Sequence, residues 1–69
     1  MTPAILRQLW SVVEATQAHT LLKLDDNSLV QWLIKQTTTQ TTLDGSQTDV
    51  LSDYIRSRLT LIRDLAQQR

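Results

Sequence analysis

The fold class is decided by the stretch PAILRQLWSVVE at residues 3–14. Its apolar side chains recur at helical spacing and cover an arc of roughly 160° on a helical wheel. They are Ile5, Leu6, Leu9, Trp10, Val12 and Val13. Thr2 supplies a capping hydroxyl, and Pro3 stands at the first helical position, where its missing N–H costs nothing. The stretch therefore predicts an amphipathic helix over about 3–18.

The apolar pattern of this first helix fails soon afterwards. An unbroken helix would turn Leu22 toward the polar side, so we expect the helix to bend or end between Gln17 and Thr20. The segment 19–25 is then a short turn whose leucines fill the core. If the turn at 19–24 counts as an element of its own, the alternative is a four-element bundle. A first helix that continues to Leu22 is the competing prediction.

A second helix is predicted over about 27–37. The capping residues Asp25 and Asp26 precede it, and their negative charges suit the positive end of a helix. Its five apolar residues cover about 200° of the wheel, which is wider than one packing surface needs. They are Leu29, Val30, Trp32, Leu33 and Ile34.

The threonine-rich segment that follows predicts a polar loop at 38–47. β-Branched threonines disfavour a helix, and the pair Asp44-Gly45 favours a turn. We expect an exposed loop that Leu43 anchors to the core.

The last helix is predicted over about 48–67. Ser46 and Asp49, three residues apart, approximate a capping box, and Thr48 is an alternative cap. Its polar face alternates aspartates with arginines, and such pairs contribute only tenths of a kcal/mol each. The apolar stripe consists of Leu51, Tyr54, Ile55, Leu59, Leu61, Ile62 and Leu65.

Length and composition indicate one small domain, 1–69, and the helical patterns predict that it is an all-α three-helix bundle. The chain has 69 residues, 41% of them hydrophobic, and seven Lys+Arg balance seven Asp+Glu. This balance argues against a polybasic arm, an acidic tail and a disordered chain. There is no cysteine, which excludes disulfides, thiolate metal sites and thiol nucleophiles. A chain this short buries only roughly 60% of its unfolded surface and needs very good packing or self-association.

Self-association is the solution that the wide apolar stripes favour. A helix of a small bundle buries an arc of a little over ~100°, and all three predicted helices exceed it. We predict a non-enzymatic module for protein–protein interaction or self-association, with a homodimer as the simplest closed arrangement and another protein as the alternative partner. The candidate interface residues are Trp10, Val13, Leu29, Trp32, Leu33, Tyr54, Ile55, Arg58 and Ile62.

Arg58 lies near the middle of the apolar stripe of the last helix. In one interpretation its stem packs while its guanidinium reaches water. In the other it pairs with a carboxylate of Glu14, Asp25 or Asp26, within the chain or across a dimer. The second interpretation predicts that Arg58→Ala weakens the oligomer more than Arg63→Ala does.

Catalytic, metal and cofactor sites have little support in the sequence. His19 is the single histidine, and neither a nucleophile nor further metal ligands accompany it. Helix capping accounts for Asp25 and Asp26, because calcium loops need ligands alternating around a glycine. The single glycine, Gly45, excludes a glycine-rich phosphate cradle. Nothing polar converges on the aromatic residues, so no small-molecule site is evident. We expect no catalytic residue, metal or cofactor.

The alternative function is a DNA-associated transcriptional regulator with a helix-turn-helix-like element. The junction Leu24–Ser28 is short enough to be the turn of such an element, and the second helix would be its recognition helix. That helix offers only Gln31, Lys35 and Gln36, whereas attraction to phosphate needs clustered cations. The sequence therefore disfavours nucleic acid as a partner.

The chain resembles small uncharacterised all-helical cyanobacterial proteins. Four strings carry the resemblance: LLKLDD at 21–26, LVQWL at 29–33, YIRSRL at 54–59 and LIRD at 61–64. It covers most of the chain and implies a cytoplasmic bacterial protein, but no activity. The N-terminus also lacks the pattern of a secretion signal, and no apolar run approaches the ~20 residues of a membrane span. We expect a cytoplasmic protein that does not bind membranes.

Overall fold

A computed structural model describes residues 2–68, and all the regular structure in this range is helical. The five helices are α1 (Pro3–Ala15), α2 (Ala18–Lys23), α3 (Asp26–Gln40), α4 (Gly45–Ser57) and α5 (Leu59–Gln67). The predicted all-α class is confirmed. The predicted number of three or four helices is wrong, because α2 is a helix of its own and the last predicted helix is divided.

Two helices begin where local capping signals predict. The hydroxyl of Thr2 accepts a hydrogen bond from the Ile5 N–H at 3.3 Å, and Pro3 is the first residue of α1. The carboxylate of Asp25 accepts one from the Ser28 N–H at 2.7 Å at the start of α3. Each cap satisfies a backbone donor that the first helical turn leaves without a carbonyl partner.

The end of α1 and the segment after it differ from the prediction. Thr16 leaves the helical conformation with φ −83° and ψ 139°, so α1 ends at Ala15 and not near residue 18. The predicted turn at 19–25 is wrong, because a second helix forms there and packs on α5. Leu21 on this helix is fully buried, whereas Leu22 is 41% exposed.

The predicted polar loop at 38–47 is also wrong, since α3 continues to Gln40 and the connection to α4 is only four residues long. Each threonine hydroxyl in the last turn donates to a backbone carbonyl three or four residues earlier. These bonds satisfy the hydroxyls inside a helix, and the Thr37 side chain is completely buried. Leu43 packs against the core, as predicted.

A capping box starts α4 earlier than predicted. The carboxylate of Asp44 accepts from the Gln47 N–H at 2.7 Å, and the Gln47 carboxamide accepts from the Asp44 N–H at 3.2 Å. The predicted caps at Ser46 and Thr48 are therefore wrong, because both residues lie inside the first turn of the helix. Gly45 is the first helical residue.

The predicted helix over 48–67 is broken at Arg58, which has φ −114° and ψ 8°. Its N–H donates to the Ile55 carbonyl at 3.0 Å, the tighter spacing of a 3₁₀ turn. Leu59 then begins α5 and is buried, whereas Arg58 is exposed. Arg58 was predicted near the middle of the apolar stripe of one continuous helix; that continuous helix is wrong, and at the break Arg58 is exposed.

One hydrophobic core joins the five helices, with α1 and α4 packed on α3, and α2 packed on α5. Its members are Ile5, Leu9, Val12, Val13, Leu21, Leu29, Val30, Leu33, Leu51, Ile55, Leu59, Ile62 and Ala66. A single copy therefore buries much of the apolar surface that the sequence assigns to association. Among residues 2–68, the large apolar side chains that stay exposed are Leu22, Val50, Leu61 and Leu65. Within residues 2–68 no helix has both the length and the apolar character of a membrane span.

Candidate interaction surface

The nine candidate interface residues divide into a buried and an accessible group. Five of them are at most 1% exposed: Val13, Leu29, Leu33, Ile55 and Ile62. A side chain enclosed by its own chain has no surface for a partner of the folded protein, so these five are core residues. The accessible candidates are Trp10, Trp32 and Tyr54, which are half-buried, and Arg58, which is exposed.

Three of the accessible candidates form one group, the aromatic–arginine cluster of Trp10, Tyr54 and Arg58. The indole N–H of Trp10 donates to the Tyr54 hydroxyl oxygen at 3.2 Å. The two rings meet edge to face, with centroids 6.4 Å apart and planes at 86°. The Arg58 guanidinium carbon lies 5.1 Å from the Tyr54 ring centroid, within range of a cation–π interaction. These contacts bring three large side chains together at the surface.

Helix geometry explains why these side chains meet. Trp10 follows the buried Leu9 on α1, so its ring stands at the edge of the core. Tyr54 stands beside the buried Ile55 on α4 in the same way. Arg58 is four residues after Tyr54, and its nonhelical conformation places the guanidinium over the ring.

Arg58 forms no ion pair within residues 2–68. Its one side-chain hydrogen bond there is a long one, 3.4 Å, to the Ser57 hydroxyl. The pairing with Glu14, Asp25 or Asp26 is therefore not present within the chain. The positive charge of Arg58 is available at the surface beside two aromatic rings.

Arg63 makes the pairing that the sequence suggested for Arg58. Its guanidinium binds the Asp26 carboxylate and donates to the Leu24 carbonyl at 2.9 Å, which ties α5 to the start of α3. Arg56 reinforces the junction through a 3.0 Å hydrogen bond to the Asn27 side chain. Sequence reasoning missed both contacts, since the partners lie far apart in the chain.

Asp25 belongs to the same junction, and the pKa of its carboxyl is lowered. The hydrogen bond from the Ser28 backbone N–H, with one from the Ser28 side chain, holds the pKa of the Asp25 carboxyl below its ordinary value. The positive charge of Arg63 acts in the same direction. The cause is stabilisation of the ionised form by the helix cap. Asp25 is therefore a structural residue of α3.

Trp32 lies apart from the aromatic–arginine cluster and lines two grooves. The first has a volume of about 300 Å³ and lies between α3, the end of α1 and the start of α2. We call it the glutamine groove; it is lined by Val12, Ala15, Thr16, Gln17, Thr20, Trp32, Gln36 and Gln40. The second has a volume of about 420 Å³ and is lined by Leu24, Asn27, Ser28, Gln31, Trp32 and Lys35.

The remaining chemistry is sparse in the described range. His19 is exposed on α2. Among residues 2–68 there is no group of three or more His, Asp or Glu side chains that could hold a metal ion. Compared with protein-family models, with curated proteins and with solved structures, the chain matches none of them.

Proposed function

We propose that this chain is a non-enzymatic self-association module whose copies pair through the aromatic–arginine cluster. The observation that carries the proposal is the mutual contact of Trp10, Tyr54 and Arg58 at the surface, where Arg58 forms no ion pair with any group of residues 2–68. Tryptophan, tyrosine and arginine are the residue types that contribute most binding energy in protein interfaces. Because intrachain contacts already hold these side chains, ordering them costs little at association.

A second copy fits this surface because the surface carries both signs of charge. In a two-fold dimer the same patch meets itself, so each patch must supply the group that its own cation needs. Glu14 is exposed and lies one helical turn after Trp10 on α1, hence on the same face. Across the two-fold axis, Glu14 of one copy would pair with Arg58 of the other. The formal net charge of zero removes overall repulsion between copies.

Exposed apolar side chains stand near the cluster along the chain, before it on α4 and after it on α5. Val50 lies one turn before Tyr54 and is 46% exposed, and Leu61 lies three residues after Arg58 and is 45% exposed. An interface with an aromatic centre needs such surrounding contacts to exclude water. Another protein with an acidic and apolar face is the alternative occupant.

The DNA-associated regulator is the less supported function. Only Leu24 and Asp25 separate α2 from α3, which is as short as a helix-turn-helix requires. However, Lys35 is the single basic residue of α3, and Asp25 and Asp26 stand at its N-terminal end. Recognition helices approach DNA with their N-terminal residues, where carboxylates repel phosphate.

Sedimentation equilibrium of two matched variants tests the proposal. Arg58→Ala is expected to raise the dimer dissociation constant about tenfold, because it removes the cation at the centre of the interface. Arg63→Ala is the control, since that guanidinium is engaged within the chain. It is expected to lower the unfolding temperature and leave the dissociation constant unchanged.

Equal sedimentation of the two variants would contradict the proposal, and so would a wild-type chain that stays monomeric at high concentration. A salt titration separates the two functions. Association through aromatic and apolar groups should weaken only modestly with added salt, whereas binding to phosphate should fall steeply. Charge reversal at both positions, Glu14→Arg with Arg58→Glu, should restore the dimer that either change alone weakens.

A further inference from the structure

The glutamine groove has unused hydrogen-bonding capacity around an aromatic ring. The indole N–H of Trp32 donates to no acceptor within residues 2–68, in contrast to that of Trp10. Because no buried side-chain nitrogen or oxygen in this range lacks a partner, the Trp32 N–H is open to water. The carboxamides of Gln17, Gln36 and Gln40 likewise bind no group within the described chain.

The three residues contributed by α3 form a single row. Trp32, Gln36 and Gln40 are spaced by four, so they follow one another along one face of the helix. Gln17 and Thr20 face them from the connection after α1 and from α2. Polar side chains from α2, α3 and the connection after α1 therefore line the same groove as the Trp32 indole.

The lining defines the chemistry of a ligand. Among residues 2–68 no ionisable side chain lines the groove, so the described lining offers no charge that would neutralise a charged ligand. Each carboxamide both donates and accepts, which matches hydroxyl groups that also do both. The electron-rich face of an indole attracts polarised C–H groups, such as those on one face of a sugar ring. A volume of about 300 Å³ is at the lower end of small-molecule sites.

We propose that the glutamine groove binds a neutral saccharide of one or two rings. The sugar ring lies against Trp32, and its hydroxyls bond to the carboxamides of Gln36 and Gln40 and to the Trp32 N–H. This site is separate from the aromatic–arginine cluster and does not depend on the proposed self-association.

Titration of the full chain, followed by NMR of the backbone, indole and carboxamide N–H signals, tests the assignment. The probes are glucose, N-acetylglucosamine, maltose and cellobiose, with glucose 6-phosphate as a charged comparison. A saturating shift of the Trp32 indole signal and of the Gln36 and Gln40 carboxamides is expected. The Trp10 indole signal should not move. The phosphorylated sugar should bind more weakly than glucose.

Matched variants locate the site. Gln36→Ala is expected to weaken binding about three- to tenfold, the effect of one hydrogen bond. Gln31→Ala is the control, because Gln31 lines the other groove beside Trp32. The proposal is overturned if no neutral saccharide gives a saturating shift, or if the two variants weaken binding equally. Saturation by a glutamine- and threonine-rich peptide with no response to the saccharides would also overturn it.

Discussion

The two tryptophans stand in opposite surroundings. The N–H of Trp10 is engaged by Tyr54, and Arg58 covers the tyrosine ring, so this indole is fixed by its neighbours. The N–H of Trp32 is open to water, and its ring lies between two grooves. Both residues are half-buried and stand next to a fully buried leucine on an amphipathic helix. Long-range neighbours therefore decide whether a half-buried indole is a rigid anchor or an open binding face.

The largest expected effect comes from truncating the buried leucines next to the two tryptophans. Leu9 precedes Trp10 and Leu33 follows Trp32, and both leucines are completely buried. Leu9→Ala and Leu33→Ala should each lower the free energy of unfolding by about 2–5 kcal/mol, through lost burial and the cavity left behind. Urea denaturation followed by circular dichroism measures the loss. Leu22→Ala, at an exposed position, is the control and should change the stability little.

Similar losses of stability in Leu9→Ala and Leu33→Ala would show that the core supports the aromatic–arginine cluster and the glutamine groove equally. If Leu33→Ala were as mild as the Leu22 control, the packing of α3 described above would be wrong. Where an alanine variant fails to fold, Leu9→Val and Leu33→Val provide a smaller truncation for the same comparison.

A smaller effect is the difference in stability lost when each of the two indoles is replaced. Trp10→Phe should cost about 0.5–1.5 kcal/mol more than Trp32→Phe, because only the first removes a hydrogen bond within the chain. Combining Trp10→Phe with Tyr54→Phe makes a double-mutant cycle that isolates this bond. Urea denaturation at a concentration too low for dimers gives the four values. Simple additivity of the two changes would contradict a stabilising bond between Trp10 and Tyr54.

The beginnings of α1 and α3 could be predicted because their signals are local. Thr2 with Pro3, and Asp25 with Ser28, lie within one turn of the bonds that they form. The helical wheel also indicated correctly that α1 does not continue without a break. It placed the break a few residues late, because Thr16 ends the helix with an extended backbone.

The later boundaries could not be predicted from propensity. Threonine disfavours a helix on average, but Thr37 is enclosed by the core and its hydroxyl binds the Leu33 carbonyl at 2.8 Å. Tertiary packing overrides the intrinsic preference there. At Arg58 no glycine or proline marks the break. The arginine stays at the surface while Leu59 is buried, and this depends on how α5 packs.

The aromatic–arginine cluster and the glutamine groove could be predicted from the sequence to different degrees. Trp10 and Tyr54 were candidates separately, but their contact spans 44 residues and no local pattern reveals it. The spacing of Trp32, Gln36 and Gln40 was readable, although each residue alone is ordinary. The bacterial cytoplasmic origin that the resemblance implies stays a prediction.

The smallest expected effect is a difference in acid response between α1 and α3, the helices that carry the two tryptophans. Asp25 caps α3, and its pKa in the folded chain lies below its ordinary value because the Ser28 N–H stabilises the carboxylate. Its contribution to stability is therefore complete above the unfolded pKa of about 3.9, and is lost as the pH falls through the lower folded value. The neutral hydroxyl of Thr2, which caps α1, does not titrate in this range. The Ser28 amide proton should shift on acidification while that of Ile5 does not, as followed by NMR. In Asp25→Asn, which keeps a capping oxygen, the Ser28 shift should disappear; a shift that persists there would assign the acid response to another carboxylate.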